Sequence, residues 1–373
     1  MQIKSQPYSE FTVKLLIANF LCQLMVVGVH HFGGIINSLA ATGHPLEDHQ
    51  TANAVIGFMY VLAIGFGTVL FFVLAGYLFF NGYEKDGAWA RKVKSRLFSI
   101  GLPYVVWNFL ASPWFTALLI PLFALFMPSV GTPRSCSFNE VFIGQYPAFY
   151  PANGPLWFLR ELLLMTLASP LIYRMLKSRL AIYWVGATLG AWMLAASFCY
   201  GGIENITQAM FGFSLGGYWK VSGRQLFGFS PRQAIGAAVI IIACVLVRME
   251  YDPAANIDLA VKCVAACVLV LALSSILAKT RFAPVLATLG EASFFIYLVH
   301  CIGRSLISDN LISIFNPSSD IQIILAAFSI WAIIIMYAFA GWWILRRIAP
   351  RTLYFLTGGR VKNRSFRPVR TEG

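Results

Sequence analysis

Charge is what this chain has least of. Only 12% of its 373 residues are Asp, Glu, Lys or Arg, against roughly 25% in a soluble domain, while 58% are hydrophobic. Water cannot solvate most of such a chain, and its polar stretches leave no room for a soluble domain. Acidic residues are scarcer still, 15 against 28 basic ones. That surplus suggests nucleic acid at first sight, but the basic residues are scattered among short connections rather than gathered on one folded face, so no nucleic-acid partner is expected. Seven cysteines show neither a disulfide framework nor metal-ligand spacing. Cys22, Cys244, Cys263 and Cys267 lie in apolar stretches and read as packing, and no metal is expected. The polar start, residues 1–14, is followed by an apolar stretch that passes Gly34 without a small-x-small cleavage site, so it reads as a spanning helix rather than a signal peptide. No inverted internal repeat of the transporter kind is visible.

What is present is a succession of apolar runs, and a helix of about 20 mostly apolar residues crosses a hydrocarbon core of roughly 30 Å. Breaks at charged residues and at Gly or Pro predict spans near 14–35, 54–80, 98–127, 155–175, 180–200, 206–219, 233–248, 258–277, 287–308 and 321–345. The expectation is an all-α, polytopic transmembrane helix bundle of about ten spans, residues 1–350, with a basic cytoplasmic tail over 351–373. The sixth span is short and carries Gly212, Gly216 and Gly217, so it is open to being tilted, broken or re-entrant.

Basic residues alternate as the positive-inside rule requires. Lys85, Arg91, Lys92, Lys94 and Arg96 fall on one side, with Arg174, Lys177, Arg179, Lys220, Arg224, Arg232, Lys279, Arg281 and the tail. The opposite connections carry His44, Glu47, Asp48, His49, Glu140, Glu204, Glu250, Asp252, Asp309 and Asp320, with Arg134, Arg248, Lys262 and Arg304 as basic exceptions. Both termini are therefore expected in the cytoplasm. The longest outer connection, between Met127 and Pro155, ends in Pro151-Ala152-Asn153-Gly154-Pro155, a rigid turn suited to a lid or an acceptor-binding edge.

Ionisable groups inside spanning helices cost several kcal/mol and are functional candidates by default. They are few: His30 and His31 in the first span, Arg160 and Glu161 in the fourth, His300 in the ninth; Lys262, Glu291 and Arg304 lie close enough to span ends to reach the interface. At a rise of about 1.5 Å per residue, His30 lies about 24 Å beyond Lys14 and Glu161 about 12 Å from Asn153. His300 is also in the outer half of its helix, so three distant segments place ionisable groups at similar depth. At about 100° per residue, Asn19, Gln23 and His30 form one polar stripe, whereas His31 faces elsewhere. Arg160 and Glu161, being adjacent, point about 100° apart, so one faces the site and the other a structural partner, or the two serve as structural ion pairs. On the inner side, Arg91-Lys92-Val93-Lys94-Ser95-Arg96 serves topology and lipid headgroups, or forms a phosphate-binding edge for an anionic donor.

These segments together resemble acyltransferase family 3, the polytopic membrane O-acyltransferases of surface glycans. Val26-Val27-Gly28-Val29-His30 is similar to that family's first-helix motif, and the stretch from Phe71 to Phe80, with its Ala75-Gly76-Tyr77 step, to its second span. Arg91 to Arg96 followed by Pro103-Tyr104-Val105-Val106-Trp107-Asn108 resembles its basic loop and following helix. Pro155-Leu156-Trp157-Phe158-Leu159-Arg160-Glu161-Leu162 and Ser293-Phe294-Phe295-Ile296-Tyr297-Leu298-Val299-His300 complete the set. Each motif alone is weak, while their order covers nearly the whole chain. One departure stands out: Asn19 occupies the position, eleven residues before the histidine, where many members carry arginine, and an amide supplies neither the charge nor the fork of donors of a guanidinium.

The resemblance implies acyl transfer, often of acetyl, from acyl-CoA to a hydroxyl of a glycan or lipid-linked saccharide at the outer face of a bacterial inner membrane. It implies no tightly bound cofactor; acyl-CoA, with acetyl-CoA as the expected form, is a donor substrate, and membrane lipids are the remaining partners. On this reading His30 is the general base, Glu161 or His300 orients it or relays its proton, and Arg160 neutralises an oxyanion or a donor phosphate. The CoA phosphates rest on Arg91, Lys92, Lys94 and Arg96, and the pantetheine arm follows Asn19 and Gln23. A transporter or flippase of a lipid-linked glycan would use buried ionisable groups equally well, and Asn19 leaves room for an inactive relative.

Overall fold

The computed structural model describes residues 8–115, 137–144, 149–198, 201–251 and 257–360. Among the described residues the secondary structure is helical, without strands. The helices are α1 Glu10–Ala41, α2 Gln50–Ala63, α3 Thr68–Phe79, α4 Ala88–Arg96, α5 Leu102–Leu110, the short α6 Phe138–Phe142, α7 Trp157–Lys177, α8 Ala181–Phe198, α9 Gly202–Val221, α10 Pro231–Tyr251, α11 Ile257–Leu277, α12 Ala283–Val299, α13 Arg304–Phe315, α14 Asp320–Ile348 and α15 Pro350–Leu356. A π-helical segment, Leu97–Gly101, joins α4 to α5.

Seven of the described helical segments are long and apolar enough to cross a membrane, or eight if the bent pair α12 and α13 is one span. Against the ten expected, the shortfall lies in two places. Residues 116–127 of the third lie outside the described residues. The sixth corresponds to α9, whose 20 residues include Glu204, Asn205, Gln208 and Lys220, and these dilute its apolar character.

That α9 is a continuous helix corrects the idea of a broken sixth span. Its glycines serve close packing instead. A methyl group at Gly216 would overlap the Val73 carbonyl, one at Gly212 would come within 2.7 Å of Phe72 Cβ, and one at Gly76 would overlap the Phe213 carbonyl. Where lipid removes the hydrophobic drive between helices, small residues spaced by four let two backbones approach and gain dispersion contact. α9 and α3 are joined this way, and α12 meets α1 similarly, with Gly290 against the Leu16 carbonyl.

The helix breaks fall elsewhere. The second span is interrupted at Ile64–Gly67, where Gly65 has φ +68°. Lys262, expected near a span end, is instead 1% exposed and donates its ammonium to the Val61 carbonyl in the last turn of α2. A cation at a helix C-terminus meets both the unpaired carbonyls and the negative end of the dipole. The ninth span breaks after Val299, with α12 and α13 meeting at 93°.

The two ends of the bundle differ. At one, Glu84 accepts from Lys177 at 2.8 Å and Tyr173 at 2.9 Å, and Arg346 pairs with Glu291 at 2.5 Å. Lys177 and Tyr173 hold the Glu84 carboxyl below the usual carboxylate range by hydrogen bonding. At the other, His49 pairs with Asp320 at 2.8 Å and Arg248 with Asp258 at 2.7 Å. Asp320 also accepts the Thr51 and Ala52 backbone N–H groups, capping α2 from another helix. Residues assigned to the start of the tail pack onto the bundle: Leu353 and Thr357 are buried, and Trp107 Nε1 donates to the Leu356 carbonyl at 2.9 Å.

Replacing Gly216 with Leu forces α9 from α3 and is expected to destabilise the bundle by about 3 kcal/mol, at the upper end of overpacking costs. Thermal unfolding in detergent, compared with Gly190→Leu on an open face of α8, measures the difference.

Candidate active site

The break between α12 and α13 gathers the ionisable groups. His300 follows α12 as its C-cap and is fully buried. Its Nδ1 lies 2.9 Å from the Tyr297 carbonyl and 3.2 Å from that of Ile296. Carbonyls only accept, so Nδ1 carries the proton and Nε2 is left as a free lone pair. That Nε2 is buried without a hydrogen-bond partner.

His30 comes from the middle of α1. Its ring centroid lies 5.2 Å from that of His300, with the planes at 47°. Their pairing brings together two of the residues singled out in the sequence, 270 positions apart. His31 is fully buried and its Nε2 donates to the Ala327 carbonyl of α14 at 2.8 Å. One imidazole of the adjacent pair therefore meets His300 while the other ties α1 to α14.

Two neighbours escaped the sequence reading. Cys301, beside His300, offers a sulfur, and the ligating atoms of His30, His300 and Cys301 all lie within 4.8 Å of one another. This is the group among the described residues that could hold a soft metal ion. Arg304, read as a span-end cation, is the first residue of α13, and its guanidinium lies against Gly34, one turn beyond His30. Neither was legible: Cys301 lacked ligand spacing in sequence, and Arg304 reaches α1 only because α13 turns away from α12.

Arg160 and Glu161 meet each other rather than separate partners. Arg160 Nε and Nη2 donate to Glu161 Oε1 at 2.9 and 2.7 Å, and Nη1 donates to the Ile143 and Phe149 carbonyls at 2.7 and 2.8 Å. The Arg160 side chain curls along the helix, overcoming the angular separation of the two Cβ atoms. Glu161 is fully buried, its Oε2 has no partner, and no ion pair within 4.0 Å joins it to either histidine. The pair clamps the residues before α7 onto that helix.

The Pro151–Pro155 turn is a buried strut. Asn153 is 3% exposed; its N–H donates to Asn108 Oδ1 and its Nδ2 to the Leu298 carbonyl, both at 2.9 Å. Tyr297 donates to the Pro155 carbonyl at 2.5 Å. These bonds hold the end of α12 and thereby the position of His300. The expectation of a lid falls here on a structural element; residues 128–136 and 145–148 of that connection lie outside the described residues.

On α1, Gln23 is 2% exposed and neither amide atom has a partner; Asn19 is half-buried. On α4, Arg91 and Lys92 line a cavity of about 540 Å³ with Asn81, Gly82, Lys85 and Ala88. Lys94 is exposed and Arg96 half-buried, and neither lines it. Lys92 Nζ donates to the Asn81 carbonyl at 2.9 Å. Burial, then Arg96 and Arg91, lower the Lys92 ammonium below its ordinary value, and burial lowers Arg96. A bound anion would reverse the like-charge part of that shift.

Arg160→Ala strands a buried carboxylate and is expected to cost about 3–5 kcal/mol. The double variant Arg160→Gln with Glu161→Gln should recover most of that loss, as a double-mutant cycle of chemical unfolding in detergent would show.

Comparison with known proteins addresses the family. Residues 19–347 match the family model described as an acyltransferase domain. A succinoglycan biosynthesis protein, ExoH, of Rhizobium meliloti strain 1021 is 27% identical over 305 residues, which cover 77% of this chain and 77% of that relative. No solved structure matches the chain significantly. A family match running from the first helix that carries His30 to the last long helix of the bundle leaves one assignment: the chain belongs to acyltransferase family 3.

Proposed function

We propose that this membrane acyltransferase moves an acyl group, acetyl in the simplest case, from a cytoplasmic acyl-CoA to a hydroxyl of a glycan or lipid-linked saccharide at the outer face of a bacterial inner membrane. The observation that carries the reading is the His30–His300 pair, with a buried imidazole whose lone pair is unspent. An ester forms when the hydroxyl oxygen attacks the thioester carbonyl carbon, and that step needs a base near neutral pH. His30, the more accessible of the two, takes the proton; His300, oriented by backbone carbonyls, holds or relays it. Glu161 and Arg160 support the site as a clamp.

The family match and the printed name of the Rhizobium relative, which ties it to succinoglycan biosynthesis, support a glycan acceptor. For the donor, Arg91 and Lys92 beside the cavity on α4 suit CoA phosphates. The unpartnered amide of Gln23 suits the amide groups of a pantetheine arm passing along α1. Asn19 would add a neutral contact on that path. In this arrangement both termini are cytoplasmic, and the acceptor is met from the end opposite the basic one.

His30→Ala should reduce acyl transfer by at least about 10²-fold, the contribution of a positioned base, while membrane insertion is retained. Acylated product is measured with membranes containing the chain, and unchanged acylation would remove His30 from the mechanism. Arg91→Gln combined with Lys92→Gln should raise the KM for acyl-CoA about tenfold with kcat little changed, the pattern of lost ground-state binding; an unaltered donor response returns the run to a topology role.

A further inference from the structure

The Arg304 guanidinium meets the Cys301 sulfur, but one of its nitrogens, Nη1, has no acceptor. Arg304 follows Gly303, whose φ of +71° turns the chain into α13, and its side chain returns across α1. A methyl group at Gly34 would overlap Nη1, Nη2 and Cζ, so the guanidinium occupies the space that this glycine leaves. Its Nη1 is buried without a hydrogen-bond partner. Asp309 on the same helix does not neutralise it: no ion pair within 4.0 Å forms, and Asp309 Oδ1 is itself unpartnered. The same corner holds the free Nε2 of His300 and the ring of His30, one turn before Gly34. A guanidinium nitrogen lacking an acceptor thus shares this corner with an imidazole nitrogen lacking a donor.

Arg304 is half-buried and no carboxylate among the described residues pairs with it, and a guanidinium N–H left without an acceptor in an apolar bundle costs about 1–3 kcal/mol, so the corner suits an anion that arrives with the reaction. A dication held by His30, His300 and Cys301 would face that guanidinium, whereas an anion is favoured by it. Arg160, the other arginine at this depth, already spends four N–H groups on Glu161 and two carbonyls.

We propose that Arg304 is the oxyanion-binding catalytic residue of acyl transfer and that Gly34 positions it; this rests on the acyl-CoA reading above. The acceptor hydroxyl oxygen bonds to the thioester carbonyl carbon as its proton passes to the imidazole, and the carbonyl π pair moves onto oxygen, where Arg304 Nη1 donates to it. Collapse restores the carbonyl, breaks the carbon–sulfur bond and expels CoA thiolate, which takes the proton. The products are the ester and CoA thiol.

The test uses the full chain purified in lipid nanodiscs, with acetyl-CoA as donor and a glycan-bearing membrane extract as acceptor, following release of CoA thiol. Arg304→Gln should lower kcat about 10²–10³-fold, as loss of an oxyanion donor does, with the KM for acetyl-CoA within about threefold. Arg304→Lys, which keeps charge but loses the planar fork, should recover about tenfold of that. Gly34→Ala should lower kcat alone, and combining it with Arg304→Gln should add nothing further. A kcat within threefold of wild type for a folded Arg304→Gln, or a rise in KM alone, overturns the oxyanion role. Additive losses overturn the role of Gly34. Wild-type protein that turns over no acetyl-CoA overturns the acyl-CoA reading itself, whatever the variants do.

Discussion

A helix broken inside an apolar bundle must satisfy its freed carbonyls from within, because lipid offers no donors. The break after Val299 meets that demand with side chains from three places. Tyr337 of α14 donates to the Val299 and Ile302 carbonyls at 3.1 and 3.0 Å. Asn153 donates to Leu298, and His300 donates from Nδ1 to Tyr297. The last of these does two things at once: it caps the helix and fixes the imidazole tautomer, leaving Nε2 with a free lone pair. The 93° turn then brings Arg304 back towards α1. Repairing the backbone and assembling the candidate site are the same set of contacts.

α1 is the other half of that arrangement. His30 and His31 are adjacent, yet helical phase sends one to His300 and the other to the Ala327 carbonyl, so a single turn both contributes to the site and fastens it to α14. Gly34 and Gly290 lie at places where side chain or backbone of another element presses onto a helix. In α7, Glu161 pairs with Arg160, which in turn ties the Ile143 and Phe149 carbonyls, just ahead of the strut, to that helix.

The ends of the bundle suit different partners. Lys85, Arg91 and Lys92 surround a cavity at the basic end, where no carboxylate among the described residues pairs with them, whereas Arg248 at the opposite end is held by Asp258. A polyanionic donor would be drawn to the former. Gln23, almost wholly buried, places an unsatisfied amide on α1 among otherwise apolar packing.

Much of this was legible in sequence, for physical reasons. Apolar run length and the distribution of basic residues disclose a helical membrane bundle, because both follow from the solvent that surrounds each segment. Depth along a helix follows from a constant rise, so His30 and His300 could be matched before any fold was known. The motifs disclosed the family. What only the tertiary structure decided are contacts between segments. Gly212 and Gly216 read as weaknesses of α9 until α3 was seen against them; Lys262 read as a span-end cation reaching the interface until the break in the second span gave it a carbonyl. The ninth span, apolar throughout, gave no warning of its turn, since the groups that stabilise the break come from Tyr337 and Asn153. Arg304 and Cys301 entered the site through that turn, and no local pattern encodes a neighbour that arrives from elsewhere in the chain.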